Sequence, residues 1–487
     1  MLISSDIIQI WRKTGLMDNI SIKDVIDALG AELYYGDSSR VKDVFINNVT
    51  SDSREVKENT LFLCIKGERV NGHDFLPASY EKGAVCAFIS ENVDTSGYKD
   101  DIYLIKTEDV IKAVQTLALW YRRKFDIPVI GVTGSVGKTT TKEMTACALA
   151  AGKKVLKTIG NRNSQLGVAL MMFELSKEFD IAVIEMGISE SGEMDRLTHI
   201  AEPEAAIVTN IGVSHIANLK SRENICKEKL SITNGFSENG GVLYVCGNDD
   251  MLNVITKESE LVNNTAEVIS YGTCDNCNVK AVNIENDNDT VSFDVYINEK
   301  TVHVTLNVTG LHNVCNAVTA LLLADRYGVD VEAAAEALSE YRPMAMRGER
   351  FTFNNAIVID DTYNASPDSI KSILNVLWDM KCTGKKYAVL ADVLELGEMS
   401  KELHTEIGSY INNMNDTGRK TDVLITFGKN AAFIADKVRE HGKCEVYSFD
   451  NRDDITKLLK ENLGEGDVCI IKGSRGMKMD EIIKGLK

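Results

Sequence analysis

A lysine and a run of hydroxyls that follow an apolar strand through glycines outline a site for phosphate. In this chain the apolar run VIGVTG enters a loop of Thr133, Gly134, Ser135, Val136, Gly137, Lys138, Thr139 and Thr140, followed by the helical pattern EMTACALAA. Glycines let successive backbone N–H groups converge on phosphate oxygens, and a helix N-terminus adds positive potential. Lys138 then reaches the β- and γ-phosphates, and Thr139 can hold Mg²⁺. The usual spacing has glycine at position 132, where this chain has Val132, so the loop is a variant built on Gly134.

Two more apolar runs end in groups that suit the same ligand. IAVIE ends at Glu185, which places a carboxylate where nucleotide-bound Mg²⁺ would sit. AAIVT leads through TNIGVS to His215, again beyond the carboxyl end of a strand, where open α/β sheets bind ligands. A loop or capping carboxylate and a structural histidine are the plainer alternatives.

Strand ends converge only if a sheet holds them. At roughly 100–200 residues per domain, 487 residues suggest about three domains. Residues 1–105 hold short β-rich runs (VKDVFINNV, TLFLCIKG, AVCAFIS, IYLIK) and a helical stretch near SIKDVIDALG, which predicts a small α/β domain. Residues 106–343 open on the helix IKAVQTLALWYRRKF and alternate apolar strands with helices, the pattern of a mostly parallel sheet with crossovers. Within them, Gly241 to Leu306 is strand-rich and polar, which predicts an antiparallel extension; helices are expected from about His312 to Tyr327 and from Val331. Residues 344–487 resume the alternation in AIVIDD, KYAVLADV, DVLITFG, CEVYSF and DVCIIKG, predicting a Rossmann-like, doubly wound domain.

Composition bounds the partners. Hydrophobic residues at 44% and charged residues at 26% supply several cores and exclude general disorder or a fibre. Lys and Arg number 54 against 72 Asp and Glu, a net −18 that repels polyanions and argues against nucleic acid or an anionic membrane as partner. No stretch approaches ~18 consecutive apolar residues. The opening MLISSDIIQIWRKTG lacks the ordered regions of a secretory leader, so a cytoplasmic location is expected. Most of the 11 cysteines lie singly in apolar runs (Cys64, Cys86, Cys147, Cys469), as reduced thiols do, and no disulfide framework is expected. Cys274 and Cys277, in TCDNC, have the spacing of a redox pair or zinc knuckle, with a surface turn as the alternative.

Taken in order, TGSVGKTTTKEMTA, EMG, TNIGVSH, GLHNVCNAVTALL, MRGERF, IDDTYNASPDSI, LADVLELGEMSKELHTEIG and IKGSRGMKMDEI resemble the Mur ligases. SDSREVKENTLFLCIKGERVNGHDF resembles their nucleotide-sugar domain, so the likeness spans nearly the whole chain. It implies an ATP-dependent, ADP-forming ligase of peptidoglycan synthesis that activates a carboxylate as an acyl phosphate. The substrates implied are UDP-MurNAc-tripeptide and D-alanyl-D-alanine, handled by a monomer without membrane insertion. Another Mur ligase or a folylpolyglutamate synthase-like enzyme adding an amino acid is the alternative.

The same likeness implies roles for particular residues. Lys138 and Thr139 match the lysine and the hydroxyl ligand of the ATP loop, and Glu185 and His215 match residues that hold magnesium, expected as two ions. Lys229, in SRENICKEKLSI, takes the place of a lysine carbamylated by CO₂, whose anionic oxygen helps hold Mg²⁺. Read without the family, Lys229 is one lysine on a charged helical face. Asn313 and Asn316 match adenine-side asparagines, and their i, i+3 spacing puts both on one helix face. Arg347 and Asp361 match groups that reach ATP across a cleft; Tyr363 and Asn364 share that loop, which also reads as a helix start at Ser366 and Pro367. Ser53, Arg54, Lys66, Asn71 and His73 resemble contacts to uridine diphosphate, and Asn161 and Asn163 the loop that meets the substrate. His404 is expected to shape the dipeptide pocket. Val136 and Ser164, where family members often carry Asn, and Ala169, where they often carry Pro, depart from the pattern.

Overall fold

The computed structural model describes residues 17–287 and 289–487; the opening segment read for a leader lies outside the described residues. The first seven strands are β1 (Ile20–Ser21), β2 (Leu33–Tyr35), β3 (Phe45–Ile46), β4 (Asn48–Thr50), β5 (Thr60–Leu63), β6 (Ala84–Ile89) and β7 (Tyr103–Lys106). β1 pairs with β3, and the order β2-β7-β6-β5-β4 forms a five-stranded sheet that is parallel except at β2. The expected helix in SIKDVIDALG runs Ile22–Leu29: Ser21 and Asp24 close a reciprocal cap at its start, and Gly30, left-handed at φ 59°, ends it.

The central sheet has nine strands. They are β8 (Val129–Thr133), β9 (Val155–Lys157), β10 (Ile181–Glu185), β11 (Ala205–Val208), β12 (Gly241–Cys246), β13 (Ala266–Gly272), β14 (Val279–Asn286), β15 (Val291–Ile297) and β16 (Lys300–Leu306), in the order β16-β15-β14-β13-β12-β11-β8-β10-β9. β8, β10 and β11 are buried at every position, as parallel strands covered on both faces must be, which explains their unbroken apolar runs. The antiparallel extension is narrower than its composition suggested. β12, β13 and β14 pair in parallel, and only β14-β15-β16 is antiparallel. Residues 247–265 carry the chain back to the starting end before β13, whereas short turns after β14 and β15 reverse it. Helices Leu311–Arg326 and Val331–Ser339 occupy the predicted stretches, and both pack on helix Lys138–Leu149, which follows β8.

The last sheet holds β17 (Glu349–Phe353), β18 (Ala356–Asp361), β19 (Lys386–Ala391), β20 (Val423–Phe427), β21 (Glu445–Phe449) and β22 (Val468–Lys472), in the order β17-β18-β22-β19-β20-β21. Only β17 runs antiparallel, and the intervening helices make the sheet doubly wound as predicted. Parallel register sets Asp361 beside Lys472 at the carboxyl ends of β18 and β22. Cys274 and Cys277 are bonded to each other within a turn after β13, so the short spacing closes a local disulfide, and the other nine cysteines are free. Among the described residues no cluster of His, Cys, Asp and Glu is arranged to hold a metal, and no helix is long and apolar enough to cross a membrane.

Candidate active site

β8 delivers Thr133 to the sheet edge, and the helix after it begins at Lys138. Gly134 and Gly137 take φ of 148° and 86° between them, and a Cβ on Gly134 would overlap Thr209 Oγ1. Only glycine meets both demands at position 134. The N–H groups of Lys138, Thr139 and Thr140 head the helix without intrahelical acceptors, which leaves them for an anion. Asn210 holds the loop open from the next strand end. Its Oδ1 accepts from Val136 N at 2.9 Å, its Nδ2 donates to Val136 O at 2.8 Å, and its own carbonyl accepts from Ser135 N at 3.0 Å. Sequence reading passed over Asn210, although it stands two residues after β11 in the TNIGVSH motif.

Lys138 Nζ donates to Gly134 O at 2.8 Å, and Lys229 Nζ reaches the same carbonyl at 3.0 Å. Lys229 lies near the end of helix Arg222–Leu230, which Ser221 caps, and only 1% of it is exposed. Burial, reinforced by the Lys138 charge, holds the Lys229 ammonium well below the usual lysine range. Burial likewise lowers Lys138, against the pull of Glu185.

Glu185 is buried at the end of β10. Its Oε2 accepts from Thr139 Oγ1 at 2.9 Å and its Oε1 from Asn163 Nδ2 at 2.7 Å. Behind it lies a lysine the sequence did not single out. Lys142, fully buried, donates to Thr158 O at 2.7 Å and lies 2.9 Å from Glu143 Oε1 and 3.9 Å from Glu185 Oε2. A hydroxyl and a carboxylate at one helix head are hard oxygen donors suited to Mg²⁺, and the Thr139–Glu185 pair fits that ion. His215, left-handed at φ 61°, lies 3.0 Å through Nδ1 from Glu395 Oε2, and burial depresses its pKa.

These groups open on one cavity of about 1330 Å³ between the central and last sheets. Ser135 to Thr140, Asn161, Asn163, Glu185 and His215 line one side; Arg347, Asp361, Tyr363 and Asn364 line the other, with Asn313 and Asn316 between. Thr133, Gly134 and Lys229 lie behind the loop rather than on the cavity wall. Asn313 Nδ2 donates to Thr309 O at 2.8 Å, and Asn316 Oδ1 accepts from Thr141 Oγ1 at 2.9 Å, which ties helix Leu311–Arg326 to helix Lys138–Leu149. The Arg347 guanidinium sits 3.8 Å from the Tyr363 ring centroid. Lys472 and Asp368, both missed from sequence, also border the cavity. Asp368 Oδ2 accepts from Val213 N at 3.1 Å across the two sheets' boundary, and a Cβ on Gly212 would overlap that carboxylate.

The residues expected to meet uridine diphosphate form a separate cluster. His73 is buried, with Nδ1 2.8 Å from Asn71 Oδ1 and Nε2 accepting from Ser90 N at 3.0 Å. Lys66 and Asn71 converge on Glu91 at 2.6 and 3.3 Å, Arg54 pairs with Asp52 at 2.5 Å, and Ser53 O accepts from Lys82 Nζ at 2.8 Å. His404 belongs to neither group. It is wholly buried, its Nε2 accepting from Val393 N at 3.0 Å and its Nδ1 donating to Ser400 O at 2.6 Å, so both ring nitrogens are taken by backbone. Heptad-free, single histidines give no sign in sequence of whether they face a ligand or a carbonyl.

Known proteins share this arrangement. Three family models match: the Mur ligase family catalytic domain over residues 45–125, the Mur ligase middle domain over 132–324 and the Mur ligase glutamate ligase domain over 346–475. The UDP-N-acetylmuramoyl-tripeptide–D-alanyl-D-alanine ligase of Bacillus subtilis (strain 168) is 35% identical over 91% of this chain and 93% of its own. Its Escherichia coli (strain K12) counterpart is 29% identical over 97% and 99%. Among solved structures, MurF from Acinetobacter baumannii superposes with a TM-score of 0.85 at 27% identity, covering 96% of this chain and 99% of that one. MurF ligase from Thermotoga maritima, in complex with ADP, does so with 0.78 at 27% identity, covering 90% and 96%. Three sheets in this order, a glycine-lysine-threonine loop after the first strand of the central one and likeness along almost the entire length place the chain in the Mur ligase family.

Proposed function

We propose that this chain joins D-alanyl-D-alanine to the terminal carboxylate of UDP-MurNAc-tripeptide at the expense of ATP. A carboxylate does not condense with an amine in water, because oxide is a poor leaving group. Transfer of the γ-phosphoryl group gives an acyl phosphate and ADP; the dipeptide amine then attacks the acyl carbon, phosphate departs and the nitrogen loses its proton. The products are UDP-MurNAc-pentapeptide, ADP and phosphate.

One observation carries this reading: a single cavity brings the phosphate loop of the central sheet opposite Arg347 and Asp361 of the last sheet. The N–H groups at the helix head and Lys138 receive phosphate charge, Asn313 and Asn316 take the adenine side, and Arg347 and Asp361 close over the nucleotide. Glu185, Thr139 and His215 would hold the two Mg²⁺ ions that the family likeness implies, and the metal would neutralise charge on the transferring phosphoryl group. Lys229 supports a carbamate because burial lowers its pKa and so favours the uncharged amine, the form that attacks CO₂. Asn161 and Asn163, which line the cavity with Glu185, would meet the entering acyl group, with Tyr363 and Asn364 on the opposite wall. Ser53, Arg54, Lys66, Asn71 and His73 would hold the uridine diphosphate.

The same reading divides the chain into a UDP-sugar domain (1–105), an ATP domain (106–343) and a ligase domain (344–487), acting as a cytoplasmic monomer. The test is phosphate release from ATP and Mg²⁺ with UDP-MurNAc-tripeptide, with the dipeptide present or withheld, followed by mass spectrometry. Release that depends on the dipeptide and yields the pentapeptide is expected; turnover only with a single amino acid on a shorter UDP-peptide, or with glutamate on a folate, overturns the substrate assignment.

A further inference from the structure

Lys472 ends β22 and is 3% exposed. Its ammonium lies 2.5 Å from Asp361 Oδ2 and 3.0 Å from the carbonyl oxygen of Asn364, so one buried cation grips both ends of the turn after β18. That turn carries Tyr363, whose N–H donates to Met346 O at 3.0 Å and whose ring underlies the Arg347 guanidinium. Asp361 and Arg347 are therefore held by one connected set of contacts that starts at Lys472. Although Lys472 borders the cavity, its charge is directed back into the loop that carries Asp361 and, through Tyr363, supports Arg347.

We infer that Lys472 is a positioning residue for ATP, fixing Asp361 and, through the turn, Arg347. This rests on the reading of Asp361 and Arg347 as groups that reach the nucleotide. A neutral side chain at 472 leaves the Asp361 carboxylate without its buried counter-ion and releases the Asn364 carbonyl, so the turn no longer has one position. Misplacement of this kind acts on the ligand the turn faces and spares the UDP site in the first sheet.

The experiment compares Asp361→Asn, Lys472→Met and the double variant by steady-state kinetics and by binding of a fluorescent ADP analogue. Lys472→Met is expected to raise both KM for ATP and the analogue's Kd roughly ten- to a hundredfold. KM for UDP-MurNAc-tripeptide is expected to stay within about twofold, and Lys472→Met should add little in the Asp361→Asn background. If Lys472→Met does not fold, Lys472→Arg keeps the charge and is expected to show a smaller loss, still confined to ATP. Independent, multiplying losses from the two sites, or an equal rise in every KM, overturn the proposal. So does an Asp361→Asn effect on ATP with neither Lys472 variant showing one. Unchanged nucleotide binding in Asp361→Asn overturns the underlying reading of Asp361 instead, and the proposal with it.

Discussion

Lys138 and Lys229 share one acceptor, the carbonyl oxygen of Gly134, at 2.8 and 3.0 Å. Two ammonium groups on one carbonyl in a buried setting repel strongly, and the conflict eases if one of them gives up its proton. Lys229 is the one inclined to do so, being the more buried and held well below the usual lysine range.

An uncharged Lys229 amine attacks CO₂, forming a carbamate and releasing a proton. Isotopically labelled bicarbonate should therefore give a carbamate carbon signal in NMR that Lys229→Arg abolishes, because arginine keeps its charge. Protonation removes the nucleophile, so the signal should fall as pH drops through the lowered pKa of Lys229 and persist above it. Ligase activity of Lys229→Arg should drop roughly ten- to a hundredfold.

Gly134→Ala tests the phosphate loop. The new methyl would overlap Thr209 Oγ1 at a φ that suits glycine, so a loss of about 1–3 kcal/mol in stability and a failure to bind ADP are expected. Adding Thr209→Ala relieves the overlap but leaves the backbone strain, and should restore stability only in part. Thermal unfolding and calorimetric titration with ADP measure both.

Asp368→Ala removes the acceptor of the Val213 N–H across the sheet boundary. The closed arrangement should lose about 1–3 kcal/mol, read as a larger radius of gyration in small-angle scattering with substrates bound and a lower kcat. Asp368→Asn, which keeps an oxygen in place, should recover most of both.

His404→Ala separates pocket from scaffold. With both ring nitrogens bound to backbone, its loss should lower the unfolding midpoint by roughly 2–4 °C or more and leave KM for D-alanyl-D-alanine within about twofold. A selective rise in that KM would return His404 to the pocket.

The fold was largely legible because parallel strands buried on both faces write themselves as unbroken apolar runs, as VIGVT, IAVIE and AAIV do. Pairing direction was less so: β12 and β13 open a stretch that is polar and strand-rich as a whole, the look of antiparallel strands, yet their direction is set by the path of the connection between them. Phosphate-loop chemistry was visible because glycine, lysine and threonine must stand in sequence at a helix head. Asn210, Lys142 and Lys472 were not, since each acts through a neighbour supplied by the folded sheet, and local spacing carries no trace of it.

Gly212 shows what the closed cavity demands of inheritance. No side chain fits between its Cα and the Asp368 carboxylate, which stands at the start of helix Pro367–Asp379, more than a hundred residues away in the chain. A substitution away from glycine there should cost a little against Ser135, whose Cβ lies 3.3 Å from where a new one would stand, and far more against the Asp368 carboxylate across the cavity. Selection on that position therefore comes chiefly from the meeting of two distant stretches of chain rather than from the surroundings of the loop that carries it.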